Sequence, residues 1–352
     1  MLALGFVVAI LGVAWNLKPL FSPTRQLARG DGRNADSYGF DLSSALVPKD
    51  KIVSSGLLRD GLPALVDPAV IRPDAVTRSF LVSNDKVVGL HIAGEPRAYP
   101  LRMLVWHEIV NDTVGGTPVV VTYHPLSEGL AVFDRRVEGS TLTFGVSGLL
   151  YQSNLLMYAQ DVAATGVWSQ LQGRAITGSG ATLTLVPFAL CRWSDWLAAH
   201  PDTTVLAPIA EEADKYGRDV YATYANTETL RFPVDPLPPA GLARKARIFA
   251  APGPDGWTIT PLSVAPTERR FEVVGPSGTA PAAGYYAYWF AWFATHPEAP
   301  GTIVNRSAAS SPDRMPSGIP IAPAALPASA NPEIAATRAA TSEIHAAAPT
   351  SY

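Results

Sequence analysis

The chain has 352 residues, 47% of them hydrophobic and only 16% charged, with a net charge of −3. That apolar content excludes a wholly disordered chain, and the missing basic excess excludes phosphate neutralisation as its main task. The single cysteine, Cys191, rules out an internal disulfide framework and any all-cysteine metal site, while 32 Pro and 28 Gly suit a turn-rich β protein.

Residues 1–17 carry no charged side chain, and Lys18 and Pro19 end the run. As a helix this segment reaches roughly 25 Å, just short of a ~30 Å hydrocarbon core, and it is read as a membrane anchor. No small-x-small cleavage site follows it. Lys18, Arg25, Arg29 and Arg33 all follow the run, and the positive-inside rule then places the main domain in the cytoplasm. Residues 18–77 are a linker and lead-in. At the other end, residues 305–352 are rich in Ala, Pro and Ser, with Tyr352 as the one aromatic. Such a segment buries too little surface to offset its ordering entropy and is expected to be disordered.

Between the ends the pattern predicts short strands and turns. Residues 80–82 and 87–92 read as a hairpin. Pro100 opens a predicted helix running through residues 101–110, and residues 119–123 follow the Gly115-Gly116 turn as a strand. Residues 130–135 and 141–146 make another hairpin; 155–158, 167–171 and 182–186 continue the meander, and 189–200 reads as a helix. Strand candidates in the last third are 247–250, 257–260 and 270–274. The expected fold class is α+β, mainly antiparallel β with a few helices, an N-terminal transmembrane helix and a disordered tail.

Trp193-x-x-Trp196-x-x-x-His200-Pro201 recurs as Trp289-x-x-Trp292-x-x-x-His296-Pro297. Positions i, i+3 and i+7 share one helix face, so each copy reads as a helix packed on a sheet and ended by its Pro. The recurrence suggests two related modules, 78–208 and 215–304. The second has nothing to match residues 106–127, which makes that segment the place to look for a site.

In that segment His107 and Glu108 adjoin, with Asn111 and Asp112 each four residues further along the predicted helix. His124 ends the following strand. Convergence of His107 and His124 with Glu108 or Asp112 would make a sphere for one Cu, Zn or Fe ion, although the spacing is not His-Glu-x-x-His. The alternative is that Asn111 and Asp112 cap the helix end and order the Gly115-Gly116 turn, with His107 a hydrogen-bonded, half-buried residue. A small-molecule pocket is a further option, from Trp106, Asn111, Tyr123, Ser127, Ser147, Tyr151 and Ser153. Serine-hydrolase chemistry fails on Leu149, which stands where a Gly-x-Ser-x-Gly elbow needs glycine.

The runs 97–135, 142–158 and 167–178, with 106–116 and 144–151 the most specific, resemble the bacterial and archaeal family called domain of unknown function 3179. The resemblance is good over about 56–206 and loose over 215–304, and it implies an exported or membrane-anchored protein. Members usually read Tyr-Cys-Pro-Leu-Cys where this chain has Tyr123-His124-Pro125-Leu126-Ser127, so dithiol chemistry is excluded here. The resulting expectation is a membrane-anchored, periplasmic or otherwise extracytoplasmic accessory or binding subunit of a membrane complex, partnered by other membrane-protein subunits. Its alternative is a metal-binding protein or metal-dependent enzyme using His107 and His124.

Overall fold

A computed structural model describes residues 29–73, 80–160, 166–262 and 281–304. After two short 3-10 turns the chain lays down β1 (Ile52–Ser54), β2 (Leu65–Val66) and β3 (Val70–Ile71). The hairpin β4 (Lys86–Ile92) and β5 (Glu95–Pro100) turns at Ala93-Gly94, and Pro100 leads into α1 (Leu101–His107). Then come β6 (Ile109–Val114), β7 (Thr117–His124), β8 (Gly129–Asp134), the small pair β9 (Arg136–Val137) and β10 (Ser140–Thr141), β11 (Phe144–Tyr151) and β12 (Asn154–Ala159). The next elements are β13 (Val167–Ser169), β14 (Arg174–Ala175), β15 (Thr184–Leu185), β16 (Ala189–Arg192), α2 (Trp193–Ala199) and β17 (Thr204–Leu206). Short helices α3 (Ala213–Tyr216) and α4 (Ala222–Ala225) precede β18 (Arg247–Gly253), β19 (Gly256–Pro261), β20 (Tyr285–Tyr288), α5 (Trp289–Thr295) and β21 (Thr302–Ile303).

Three sheets stack. The central one has nine strands in the order β2-β6-β7-β8-β20-β18-β19-β21, with β15 also on β8. Its central strands β7 and β8 are buried on both faces because they are apolar at successive positions, not alternate ones. Val119, Val121, Tyr123, Leu130 and Val132 pack toward the sheet β16-β4-β5-β17-β3, where Val88, Leu90 and Tyr99 meet them. Val120, Ala131 and Phe133 pack on the opposite face toward the sheet β1-β11-β12-β13-β14, against Phe144, Val146, Leu155 and Met157. The class is α+β with mainly antiparallel pairing, as the turn-rich composition indicates.

Several expectations are corrected here. Among the described residues no helix is long and apolar enough to cross a membrane. The expected anchor (1–17) and tail (305–352) lie outside the described residues, as does the strand expected at 270–274. Among the described residues membrane attachment has no helix to rest on, and the accessory-subunit function, the membrane partners and the periplasmic location, which all rested on that helix, find no support there. The predicted helix after Pro100 stops at His107, because β-branched Ile109, Val110, Thr113 and Val114 favour the strand β6. Residues 189–192 are likewise a strand, not the start of a helix.

The expected two related modules are not present as such. The described residues form one compact unit, and the central sheet draws β6–β8 from one range and β18–β21 from the other. What occurs twice is a smaller unit of hairpin, strand, helix and strand. In one copy β16 pairs with β4 (Arg192 opposite Lys86), β4 with β5 (Val87 opposite Pro100), and β17 runs parallel to β5 (Thr204 opposite Arg97). In the other β20 pairs with β18 (Tyr288 opposite Arg247), β18 with β19 (Ile248 opposite Pro261), and β21 runs parallel to β19 (Thr302 opposite Thr258). Each helix follows its strand without a loop. The Trp193 N–H donates to the Asp85 carbonyl at 2.7 Å, and the Trp289 N–H to the Ala246 carbonyl at 2.8 Å.

The second tryptophan of each helix is fully buried and tied down in the same way. Trp196 donates through Nε1 to Thr203 Oγ1 at 2.9 Å, and Trp292 to the Pro300 carbonyl at 2.8 Å. His200 and His296 lie against these rings, with centroids 4.1 and 3.9 Å apart. Gly89 of β4 has no side chain because a Cβ there would stand 2.4 Å from the Trp196 ring. The matching position in the second copy, Ala250, carries its methyl within the core. Gly89→Ala is therefore expected to destabilise the chain by about 1–3 kcal/mol in urea unfolding. An unchanged midpoint would show that Trp196 is not held against β4.

Candidate functional site

Glu108 is where the local chain path decides the site. It sits at the end of α1 with φ 56° and ψ −31°, a strained conformation for a residue with a side chain. Its carbonyl accepts the Tyr123 N–H at 2.7 Å, which fixes the reversal against β7. The two neighbours on either side of the reversal point apart. His107 is fully buried and donates through Nδ1 to the Pro63 carbonyl at 2.9 Å. A carbonyl only accepts, so the proton is on Nδ1, and Nε2 accepts from the Tyr216 hydroxyl at 3.0 Å. Burial holds His107 below the usual imidazole range, consistent with this neutral form.

Glu108 turns the other way and accepts from Nδ1 of His124 at 3.0 Å. The metal reading is corrected by this arrangement. His107 has both ring nitrogens engaged, and Asp112 is committed to Arg97 Nη1 at 2.9 Å and the Tyr99 hydroxyl at 2.7 Å. Among the described residues no group of three or more His, Cys, Asp or Glu is placed to hold a metal ion. Asn111 and Asp112 alternate across β6 and do not share a helix face. Asn111 brackets Phe144, accepting its N–H at 2.7 Å and donating to its carbonyl at 2.8 Å.

Behind His124 lies a buried polar network on the inner face of the central sheet. The Asn154 amide donates to Ser127 Oγ at 2.9 Å and to Gln170 Oε1 at 2.7 Å; the Gln170 amide donates to Thr122 Oγ1 and the Gly129 carbonyl. Two members lack partners among the described residues: His124 Nε2 and Ser153 Oγ, both buried. His124 Nδ1 donates to Glu108, and its Nε2 is left with no partner among the described residues. Gln152 and Ser153 share positive φ, 54° and 61°, and Gln152 clamps the Asp235 backbone through both ends of its amide. The remaining pocket candidates are spread apart. Ser147 donates to the Leu156 carbonyl and accepts from Leu149 N–H at the β11 irregularity, Tyr151 packs in the outer cluster with Tyr38, and Trp106 sits half-buried on α1.

Of the seven, Tyr123 lines a cleft of about 480 Å³, a size suited to a small molecule. Its charged groups come from residues the sequence did not single out. Lys86 and Arg247, the first residues of β4 and β18, are at equivalent positions of the two copies and both face it. Arg247 donates to Glu128 at 2.9 Å, and Arg102 pairs with Asp85 at 2.7 Å. Burial disfavours the Lys86 cation, and Arg247 adds to this against Glu128 and Asp219, so its pKa falls to about 8. Burial works against the Glu128 charge, but Arg247 and Lys86 overcome it and hold the carboxyl below its usual value. Tyr216 and Tyr221 close one side; burial raises the Tyr221 phenol, and the Glu108 charge adds to it, which puts the buried dyad near this wall. A signal for the two cations was present: residues 86–101 and 247–262 both start with a base and end in Pro-Leu at the same spacing.

These proton positions can be checked directly. Nitrogen-15 NMR of the histidine rings is expected to show Nδ1–H tautomers for His107 and His124, with the His124 pattern changed by Glu108→Gln. An Nε2–H tautomer for His124 would contradict the dyad.

The family model described as Protein of unknown function (DUF3179) matches residues 59–261, a span from the residues before β2 through the end of β19. No curated protein and no solved structure matches the chain. The matched span covers α1, Glu108, His124, the polar network and both basic positions of the cleft, and by it the chain belongs to the DUF3179 family.

Proposed function

We propose that the chain is a binding protein for a small polar molecule, held in the cleft where Lys86 and Arg247 meet α1 and the α3–α4 segment. The observation that carries this reading is the cleft of about 480 Å³ with ion pairs in its wall, Arg247–Glu128 and Arg102–Asp85. Partly buried charges cost desolvation energy that a fold does not need for stability, since apolar replacements are often as good or better. Their retention in a concave site is what ligand recognition calls for. Tyr123, Tyr216 and Tyr221 add ring surface and hydroxyls on the same wall.

Ala225 of α4 also lines the cleft, so a large side chain there occupies the space without touching the ion pairs. Fragments found by ligand-observed NMR on the full chain are expected to lose about tenfold or more in affinity for Ala225→Trp, with the unfolding midpoint unchanged. Equal binding to both forms would place the ligand elsewhere and overturn the reading.

A further inference from the structure

The register of the duplicated unit has a chemical consequence at the cleft. In each copy the residue directly after the backbone bond from the first tryptophan is a base: Lys86 follows Asp85, and Arg247 follows Ala246. Both bases face the same space and the same carboxylate, Glu128. Around that space stand Lys86, Arg102, Arg218 and Arg247 against Asp85, Glu128 and Asp219, an excess of one positive charge. Two of these acids are matched at short range: Asp85 by Arg102 and Glu128 by Arg247. Resting on the cleft reading above, we propose that the ligand carries an anionic group, carboxylate or phosphate, seated between Lys86 and Arg247.

A cationic or neutral ligand fits these groups poorly. A cation would have to displace Arg247 from Glu128, and a neutral molecule would gain no ion-pair bond from the two bases. An anion completes an alternating set, base–acid–base–anion, with the guanidinium and ammonium as charge-assisted donors. The proton balance follows. In the open cleft Lys86 titrates at about 8, set by burial and by Arg247 against Glu128 and Asp219. The phenols on the wall, Tyr123, Tyr216 and Tyr221, stay protonated there because all three are raised, chiefly by burial. A bound anion favours the charged amine, so binding at pH 8–9 draws a proton from solvent onto Nζ. At pH 6 the amine is already charged and no proton moves.

The test is calorimetry on the full chain with benzoate, its neutral isostere benzamide, and inorganic phosphate, each in buffers of different ionisation enthalpy. Benzoate, ionised at both pH values, is expected to bind with proton uptake at pH 8.5 and none at pH 6; phosphate, which itself titrates near neutral pH, is compared by affinity at pH 8.5, and whichever binds tighter identifies the anion. Lys86→Met should weaken the anion by about tenfold to a hundredfold and abolish uptake. Lys86→Arg should keep binding and lose only the uptake, which separates charge recognition from misfolding. Benzamide binding as tightly as benzoate, lost on Ala225→Trp, would overturn the anion assignment and leave the cleft reading standing. Fragments that bind equally to Ala225→Trp would overturn both.

Discussion

The arrangement depends on how two tryptophan-led helices are fastened to their strands. In each copy the helix begins at the residue after the strand, and the first tryptophan N–H reaches back to the chain just before the hairpin. That one bond fixes the hairpin register, and the buried second tryptophan, its N–H satisfied and its face covered by histidine, locks the helix against slipping. A shift of one residue would turn every side chain of β4 or β18 to the opposite face. Lys86 and Arg247 would then leave the cleft together with the apolar residues that pack between the sheets.

The two copies have diverged in what surrounds them. The first lies in its own sheet and buries Trp196 close against Gly89; the second is built into the central sheet through β20 on β8, with α5 among the aromatic residues of the inner core. Between β5 and β16 the first hairpin is extended by α1 and β6–β15, where Glu108 and His124 reside. The duplicated unit supplies Lys86 and Arg247, α1 and the α3–α4 segment supply much of the wall, and the inserted segment supplies Glu128, Tyr123 and the buried dyad. Polar burial on this scale, with the His124–Glu108 pair and the Asn154–Gln170 network inside an apolar core, costs stability wherever a partner is missing. His124 Nε2 and Ser153 Oγ are among the buried polar atoms where that cost is visible.

Much of this was legible in the sequence at the level of pattern. Turn residues and short apolar runs gave the antiparallel class, and the strand at 119–123 and the spacing of the tryptophans correspond to real elements. The path at Glu108 was not legible, because a helical period through 101–110 is also compatible with a seven-residue helix followed by a β-branched strand. Left-handed backbone at a glutamate has no local sequence signal. His107 and His124, neighbours on paper as metal ligands, were thereby separated onto different sides of the chain. Lys86 and Arg247 were missed for another reason: their meeting depends on strand pairing between distant segments, and each alone looks like an ordinary surface base at a strand end.

The claim that most of the account depends on is that the two equivalent bases act on one ligand. A double-mutant cycle on anion binding, with Lys86→Met, Arg247→Gln and the pair in the full chain, measures this directly. Two donors to one anion predict a coupling energy on the order of 1 kcal/mol or more. Strictly additive losses would show that Lys86 and Arg247 serve separate ends of the cleft and would contradict the shared site.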